Sequence, residues 1–414
     1  MKLKFKIFLL FLLMIISIQS ISFASELNLN SEAAILVEIS TGRILYEKNS
    51  TKKLYPASTT KILSAILIIE NCNLDDIVTV RASALNNIPT GYVTCNLQVG
   101  EELTVRDLLY ALMIPSANDA AYVLAEHLAG SVENFSVMMN DKAREIGCKT
   151  THFVNPNGIH DDSHYSTAYD LYLIANYAMK NETFRDLVAT TEYTLPATEK
   201  YPSADRILET TNELLNKNSK KYYYKNAIGI KTGYTTKAGN CLVAAASRDG
   251  LEFIAVVLNG GATENGLNSR YVDSKKLFEY AYDNFTLTKI IEKGSVVQSL
   301  EVEKGTKESK FLDLIIDETI TVVNNKSIDM NSVIPEIKLR EIIEAPISAG
   351  ETIGTIKYKV DDIEYSAKLL AKTSVERVDY SMYLIIGGLL LLMFSLSLVK
   401  SSRKKSKRRR KKRK

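Results

Sequence analysis

The stretch AIGIKTGYTTKAGNCLVAAASRDGLEFIAVVL, residues 227–258, contains three runs of β-forming residues separated by turn residues. The runs predict strands at Ala227–Tyr234, Cys241–Ala246 and Phe253–Leu258, and Arg248-Asp249-Gly250 is typical of a hairpin turn between the last two. Strands joined by such short turns pair antiparallel, so this stretch predicts the body of an antiparallel sheet.

The sequence before this stretch predicts a further hairpin and then helices. Ala33–Ile39 and Arg43–Lys48 flank the turn Ser40-Thr41-Gly42, and a helix is predicted from Pro56. Further helical patterns are Val105–Met113, Ala120–Leu128, Val132–Ile146, Thr167–Met179 and, after the sheet, Arg270–Phe285. Strands at both ends with a helical insert predict an α/β fold, one antiparallel sheet flanked by helices, for residues 25–286.

The residue pattern changes in the region 287–378, which predicts a small all-β second domain. Short β-branched runs separated by Gly, Asn and Asp lie at Val296–Val302, Leu312–Ile316, Thr319–Val323, Ile353–Val360 and Ile363–Leu370. The region contains neither histidine nor cysteine, so we interpret it as a spacer rather than a catalytic unit.

The two ends of the chain carry targeting signals. Residues 1–24 combine three lysines, an apolar run and the small-residue site Ser22-Phe23-Ala24, which is typical of a cleaved secretory signal; an uncleaved anchor is the alternative. Residues 380–399 are apolar and predict a transmembrane helix, and residues 400–414 form a basic tail. Basic flanks stay in the cytoplasm, so we expect a single C-terminal span in the cell membrane with the body outside.

The charge distribution supports this division. Twelve of the 52 basic residues lie in 400–414 and three in 1–24, which leaves 37 basic against 48 acidic side chains in the body, a net charge of −11. A basic arm that binds nucleic acid is the alternative for the tail, but its position directly after the span favours the membrane, and we expect no nucleic-acid partner. The four cysteines are widely spaced and predict small core residues, with no pairing indicated.

Pro56-Ala57-Ser58-Thr59-Thr60-Lys61 stands at a predicted helix start and offers a nucleophile with a base. Residues three apart share a helix face, so the Lys61 amine would lie beside the Ser58 hydroxyl, and a desolvated lysine can activate a serine. The alternative is that Ser58 only caps the helix. The pattern is weak alone, because it recurs at Ser50–Lys53, Ser401–Lys404 and Ser402–Lys405.

Two further motifs each occur once in the chain. Ser116-Ala117-Asn118 follows a proline between two helical runs, where the hydroxyl could pass a proton and the amide could hold the lysine; a simple helix cap is the alternative. Lys231-Thr232-Gly233 lies on a predicted strand, where Gly233 would let a substrate backbone approach and the strand edge could pair with an extended peptide. An ordinary edge strand with a charged residue is the alternative there.

The three motifs in this order resemble those of the penicillin-binding proteins and serine β-lactamases. The chain is similar to the low-molecular-mass penicillin-binding proteins that act as D-alanyl-D-alanine carboxypeptidases, and the likeness extends over about residues 25–399. It includes Thr151–Gly158, Ser166–Asp170, Gly229–Thr235 and the small β domain before a membrane-binding C-terminus. The resemblance implies the penicillin-binding, β-lactamase-like form of the predicted fold, and makes residues 25–286 a serine DD-peptidase domain.

The resemblance also implies roles for individual residues. Ser58 would attack the carbonyl between two D-alanines with Lys61 as the base, Ser116 would relay a proton, and Asn118 would orient Lys61 and the substrate amide. The backbone N–H groups of Ser58 and Tyr234 would form the oxyanion hole.

Binding of the terminal carboxylate is implied for a second set of residues. Lys231 and Thr232 would face the carboxylate beside Gly233, and Arg270 matches the family position that helps to hold it. The expected substrate is a peptidoglycan stem peptide ending in D-Ala-D-Ala, with β-lactam antibiotics as acylating inhibitors and no cofactor.

Three other classes of protein remain as alternatives. A class A β-lactamase would need Glu-x-x-Leu-Asn, and Glu213-Leu-Leu-Asn216 is one residue short; a DD-endopeptidase and a non-catalytic wall-binding protein are the others. A metal hydrolase is considered because His152, His160, Asp161, Asp162 and His164 cluster in sequence. Without His-Glu-x-x-His we expect no metal, and we expect this loop to pack near the site.

Overall fold

The computed structural model describes residues 27–86, 88–203, 205–361 and 363–411. The predicted signal peptide, residues 1–24, lies outside the described residues. The chain divides into two compact units, and the boundary falls between Phe285 and Thr286.

The first unit contains a sheet at its two sequence ends and helices between them. Its strands are β1 (Ala33–Glu38), β2 (Ile44–Lys48), β3 (Ile77–Thr79), β4 (Glu102–Thr104), β5 (Glu192–Thr194), β6 (Ile207–Glu209), β7 (Ala227–Thr235), β8 (Gly239–Arg248) and β9 (Leu251–Gly260). Its helices are α1 (Lys61–Asn71), α2 (Ala82–Asn86), α3 (Val105–Met113), α4 (Asn118–Ala129), α5 (Val132–Ile146), α6 (Ala168–Ala178), α7 (Glu182–Ala189) and α8 (Ser269–Asn284).

The main sheet has the strand order β2-β1-β9-β8-β7, and each described pair is antiparallel. β1, from the start of the unit, pairs with β9, from its end, through partners such as Ile35 and Val256. β7 lies at an edge of this sheet, so one side of its backbone has no strand partner among the described residues. The chain therefore closes the sheet from both ends and leaves the predicted Lys231-Thr232-Gly233 strand available at an edge.

Both faces of the sheet are buried. Along β9, Ile254, Val256 and Leu258 belong to the core that includes the helical insert. Their neighbours Phe253 and Val257 are equally buried and, by the alternation of side chains along a strand, point to the other face. There α8 contacts β9, and the Tyr282 ring meets the Phe253 ring edge-on at 4.9 Å. A strand buried on both sides explains why its sequence is a continuous apolar run.

The second unit is an all-β module followed by one long helix. Its elements are β10 (Phe285–Ile291), β11 (Val296–Glu301), β12 (Phe311–Ile316), β13 (Ile320–Asn325), β14 (Glu336–Leu339), β15 (Thr352–Val360), β16 (Ile363–Ala371) and α9 (Ser381–Lys411). Five strands form a sheet in the order β11-β12-β16-β15-β14, and β10 pairs with β13. Within α9, Leu384–Ser401 is long and apolar enough to cross a membrane.

The predicted fold class is confirmed, and several short elements, such as β3 to β6, were not predicted; two further differences concern predicted helices. The helix expected from Pro56 begins as a 3₁₀ turn, Ala57–Thr60, which we call the serine turn, and α1 starts only at Lys61. β10 directly follows α8 at Phe285, whereas the sequence indicated only the helix. Only Phe285 of this strand is buried, and the other residues are partly buried or exposed. The strand therefore lacks the strict alternation of buried and exposed side chains by which a strand is predicted from sequence.

Candidate active site

A cleft of about 460 Å³ brings together residues of all three predicted motifs. The residues that line it are Ser58, Thr90, Gly91, Tyr92, Val93, Pro115, Ser116, Asn118, Gly158, Ile159, Thr211, Thr232, Gly233, Tyr234, Thr235, Thr236 and Arg270. Lys61 and Lys231 do not line the cleft, and both are almost completely buried, at 0% and 1% exposure. Arg270 is the single charged residue in this described lining, which includes no carboxylate.

The serine turn presents Ser58 at the entrance of α1. Pro56 precedes the turn, the Thr59 side chain hydroxyl donates to Pro56 O at 2.7 Å, and Thr59 is buried. Ala57 has a φ of 49°, a left-handed conformation that costs energy for a residue with a Cβ. The turn therefore holds the serine in a conformation that the chain would not adopt without surrounding contacts.

The Lys61 amine has three neighbours at hydrogen-bond distance. Its Nζ lies 3.0 Å from Ser58 Oγ, 2.9 Å from Asn118 Oδ1 and 2.9 Å from the backbone oxygen of Asn157. A carbonyl oxygen can only accept, so Asn118 and Asn157 must each receive an N–H from the amine. A neutral amine has two N–H groups and one lone pair, which leaves the lone pair directed at the Ser58 hydroxyl.

The electrostatic surroundings favour this neutral form. Burial, and after it the positive charge of Lys231, hold the pKa of Lys61 well below its usual range, while Asp119 acts in the opposite direction. A buried lysine without an ion-pair partner loses its proton more easily because the charged form is poorly solvated. The geometry and the charges therefore agree on a lysine that can accept a proton from Ser58.

Asn118 is oriented by the loop that forms the opposite wall of the cleft. Its Nδ2 and its backbone N–H both donate to Val93 O at 2.9 Å, so its Oδ1 must point to Lys61. The neighbouring Asp119 carboxylate accepts the backbone N–H groups of Cys95 and Leu97, which fixes the same loop. The amide is thus a fixed acceptor for the lysine, and it does not act as a helix cap.

Ser116 enters the cleft in a strained conformation. Its φ is 72°, and its hydroxyl is buried without a hydrogen-bond partner among the described residues. The N-cap position of α4, directly before Asn118, is Ala117, whose methyl side chain makes no capping hydrogen bond, so the helix-cap alternative for this motif is not observed. A buried hydroxyl that faces a cleft and lacks a partner is suited to exchange a proton with a bound ligand.

Strand β7 supplies the wall opposite this loop. Thr232 lines the cleft, and its Oγ1 lies 2.7 Å from Thr211 Oγ1. Thr211 also lines the cleft, and no sequence motif indicated it. Lys231 lies behind this wall, with its Nζ 3.3 Å from Thr232 O. Burial and the charge of Arg270 lower the pKa of Lys231 to about 7. The hydroxyl of Thr232 can therefore contact a ligand in the cleft, whereas the buried Lys231 amine is not part of the cleft lining.

Arg270 connects α8 to the end of β7. Its Nη1 donates to Gly233 O at 3.1 Å, and its backbone N–H is capped by Asn268. The guanidinium lies 4.8 Å from the centroid of the Tyr271 ring, which restricts its position. Tyr234, the next residue of β7, is 61% exposed at the cleft, so its backbone rather than its side chain is fixed by the sheet.

Two glycines let the chain pack directly against the serine turn. A Cβ on Gly233 would lie 3.0 Å from both Pro56 O and Ser58 N, so this glycine makes room for the turn, whereas the sequence suggested room for a substrate. A Cβ on Gly158 would lie 1.9 Å from Ala57 O, and the φ of Gly158 is 81°. The motif Asn155-Pro156-Asn157-Gly158 is thus part of the site, because it presses Asn157 O towards Lys61.

The histidine-rich loop packs near the site, as its position in the sequence suggested. Among the described residues, no group of three or more His, Cys, Asp or Glu side chains is arranged to hold a metal ion. His164 instead contacts Thr60, and Tyr55 donates to Asp162 at 3.2 Å. Asp170 lies in the first turn of α6, where Thr167 is the N-cap, and accepts the backbone N–H groups of Lys149 and Thr150.

Comparisons with known proteins place this site in a family context. Residues 20–262 match the family described as D-alanyl-D-alanine carboxypeptidase, and residues 285–377 match the family described as penicillin-binding protein 5, C-terminal domain. The chain is 34% identical over 369 residues to D-alanyl-D-alanine carboxypeptidase DacF of Bacillus subtilis, covering 87% of this chain and 90% of that one.

Two solved structures are similar to this chain in fold. Penicillin-binding protein 5 from Haemophilus influenzae has a TM-score of 0.67 and 27% identity, and the match covers 84% of this chain and 98% of that one. The Streptomyces K15 DD-transpeptidase has a TM-score of 0.56 and 35% identity, and its match covers 62% of this chain and 98% of that one.

Proposed function

Because the chain belongs to the D-alanyl-D-alanine carboxypeptidase family, we propose that it removes the terminal D-alanine of peptidoglycan stem peptides through an acyl-enzyme on Ser58. The observation that carries this proposal is the set of three contacts around Lys61 Nζ, which leaves its lone pair for the Ser58 hydroxyl. β-Lactam antibiotics, which also present an acyl group beside a carboxylate, would acylate the same serine.

Acylation would begin with proton transfer from Ser58 Oγ to Lys61 Nζ. The oxygen attacks the carbonyl carbon between the two D-alanines, and the negative charge on the carbonyl oxygen is held by the backbone N–H groups of Ser58 and Tyr234. A Cβ on Gly233 would lie only 3.0 Å from Ser58 N, so β7 passes directly beside the serine turn, which supports this pairing. The amide bond then breaks, and the leaving nitrogen takes a proton relayed from Lys61 through Ser116.

Deacylation would reverse the proton path. A water molecule gives its proton to Lys61 and attacks the ester carbon, and Ser58 recovers its hydroxyl hydrogen as the peptide leaves. The described cleft lining contains no carboxylate that could activate water, and Glu213 of the incomplete β-lactamase motif is not part of it. This favours a peptidase over a class A β-lactamase, which uses a glutamate to activate the deacylating water.

Substrate orientation would use the free edge of β7. An extended peptide can pair with this edge while its terminal carboxylate meets the Thr232 hydroxyl and the Arg270 guanidinium. Thr211 holds Thr232 through the hydroxyl pair, and Lys231 adds positive charge from behind the wall. These groups select a substrate that ends in a carboxylate, which is the requirement of a carboxypeptidase.

The activity is tested by D-alanine release from a pentapeptide ending in D-Ala-D-Ala, compared with cleavage of a cross-linked peptide dimer. Release from the pentapeptide without cleavage of the dimer is the expected result. Cleavage of the dimer alone would identify a DD-endopeptidase. Binding of wall fragments with neither reaction would identify a non-catalytic wall-binding protein.

The pH dependence of kcat/KM is expected to show a decline as the pH rises through about 7, the value to which the pKa of Lys231 is lowered. Above this pH the ammonium loses its proton, and the contribution of Lys231 to the positive potential beside the carboxylate disappears, while the charge of Arg270 remains. kcat/KM reports the free enzyme, so a pH series with the pentapeptide measures this directly.

A matched variant separates this effect from the titration of other groups. Lys231→Arg keeps its charge at every working pH, so its kcat/KM should not decline near pH 7, whereas Lys231→Met should be low throughout. A wild-type kcat/KM that stays constant through this pH range would contradict the prediction that the charge of Lys231 is needed for substrate binding.

We also propose that α9 anchors the protein in the cell membrane, with the two folded units on the outer face. The support is the apolar segment Leu384–Ser401, followed by the basic residues of the tail. A chain that ends at Asp379 is expected to appear in the soluble fraction after alkaline washing of membranes, while the full chain stays in the pellet. Equal release of both chains would contradict the anchor.

A further inference from the structure

His164 is a buried titratable residue that the proposed mechanism does not use. It is 2% exposed, lies in the loop between the β-bridge partners His152 and Tyr165, and contacts Thr60, the residue before Lys61. Its ring meets the Phe153 ring edge-on, with centroids 5.3 Å apart, so the orientation of the imidazole is fixed by packing.

The hydrogen bonds of His164 define which nitrogen carries its proton. The backbone N–H of Val154 donates to Nδ1 at 3.2 Å, so Nδ1 must present its lone pair. The single proton of a neutral ring is then on Nε2, which lies 2.8 Å from Thr60 Oγ1. His164 therefore donates to Thr60, the residue directly before Lys61.

The 153–158 loop and the start of α1 are joined by a small set of polar contacts. Ser64 Oγ donates to Pro156 O at 2.6 Å, and Lys61 Nζ donates to Asn157 O at 2.9 Å. The third contact is indirect: His164 accepts the N–H of Val154 in the loop and bonds to Thr60 in the serine turn. A Cβ on Gly158, which packs on Ala57, would lie 2.9 Å from Thr60 Oγ1, so Thr60 also faces this glycine.

We propose that His164 is a positioning residue: by donating from Nε2 to Thr60, it sets the distance between Asn157 O and the Lys61 amine. If the loop moves away, Lys61 loses one of its two obligatory acceptors, and its lone pair is no longer directed at Ser58. This inference rests on the proposed roles of Ser58 and Lys61.

The surroundings of His164 keep the ring neutral. Burial lowers its pKa to about 3, with Asp161 raising it and His152, His160 and Lys61 lowering it further. A proton on Nδ1 would face the N–H of Val154 and would place a second positive charge near Lys61. The neutral ring is therefore the form that fits the site over the range in which the enzyme would work.

Four single substitutions separate the two hydrogen bonds of the ring. His164→Gln can place its amide nitrogen near the position of Nε2 and keep the donor to Thr60, whereas His164→Asn can keep only the acceptor for Val154. Thr60→Val removes the acceptor and leaves the histidine in place, and Thr60→Ser restores a hydroxyl. The probe is a fluorescent penicillin reacted with the full-length protein over a range of concentrations and pH values.

The expected result is an acylation rate constant lower by tenfold to hundredfold, on the order of the loss from a small misplacement of reacting groups, for His164→Asn and Thr60→Val. Noncovalent penicillin affinity and the final labelled fraction should stay as in the wild type. His164→Gln and Thr60→Ser should react close to the wild-type rate. The acid side of the pH profile should move in the two slow variants, because Lys61 has lost a fixed acceptor.

Wild-type rates and pH profiles for both His164→Asn and Thr60→Val would overturn the proposal, as would equal losses in His164→Gln and His164→Asn. If the His164→Asn protein does not fold, the acylation rate of Thr60→Val alone tests the proposal, because that variant keeps the buried imidazole and removes only its acceptor. The double variant should react no more slowly than either single one, since both remove the same bond. A wild-type protein that takes no label would refute the roles of Ser58 and Lys61 instead.

Discussion

Lys61→Met is expected to lower the rate of penicillin acylation by about 10²–10⁴-fold, the range that a positioned general base contributes. Methionine has nearly the length of lysine and tolerates burial, but it cannot take the proton of Ser58. Lys61→Arg should not restore the rate, because a guanidinium stays protonated and has no lone pair to offer. Stopped-flow mixing with a fluorescent penicillin measures the rate.

The chain contains its own control for this prediction. Ser50 and Lys53 have the same spacing, but Ser50 Oγ donates to Glu47 at 2.7 Å and Lys53 Nζ lies 3.5 Å from the centroid of the Tyr165 ring. The Lys53→Met protein should therefore be acylated by the penicillin at the wild-type rate. A Lys61→Met protein that reacts as fast as wild type would show that another group accepts the proton.

Ser58→Ala is expected to abolish D-alanine release, with a loss on the order of 10⁶-fold, as when another serine hydrolase loses its nucleophile. The substitution removes one atom that contacts Lys61 Nζ and leaves the contacts to Asn118 and Asn157. The variant should therefore fold and still bind a pentapeptide without cleaving it.

Two measurements check the Ser58→Ala prediction together. An enzymatic assay of free D-alanine gives the turnover, and thermal unfolding shows whether the variant is folded. Ser50→Ala is the matched control, and it should keep full activity. D-alanine release by a folded Ser58→Ala protein at a substantial fraction of the wild-type rate would contradict the nucleophile assignment.

The fold could be predicted from local patterns because its elements are regular. Val105–Met113 and Val132–Ile146 were predicted with the bounds that the structure shows, since each has a helical apolar period and a clear start. The serine turn was not predicted as a 3₁₀ turn. Its conformation depends on tertiary contacts, such as the approach of Gly158 and Gly233, which leave no local signal.

The site could be predicted only where side-chain motifs mark it. The serine, lysine and asparagine motifs indicated Ser58, Lys61 and Asn118, and the structure brings these residues into contact. The backbone oxygens of Val93 and Asn157 complete the same network, but any residue has a carbonyl group, so no residue type identifies them.

The contribution of Lys231 also required the structure. A strand pattern does not show which side chains reach a cleft and which lie behind its wall. Thr232 and its neighbour Thr211 line the cleft, whereas Lys231 is buried behind its wall, where we propose that it contributes charge rather than contact. Thr211 was missed because it lies in an irregular segment 21 residues before Thr232 and belongs to none of the motifs.

The most direct test of the acyl-enzyme is to locate the covalent adduct itself. The wild-type protein is incubated with a penicillin, digested, and analysed by mass spectrometry for the added penicilloyl mass. The predicted result is one adduct per chain on the peptide that contains Ser58, with none on the peptides that contain Ser50 or Ser116. An adduct on a different residue, or a protein that gains no mass, would contradict the assignment of Ser58 as the nucleophile.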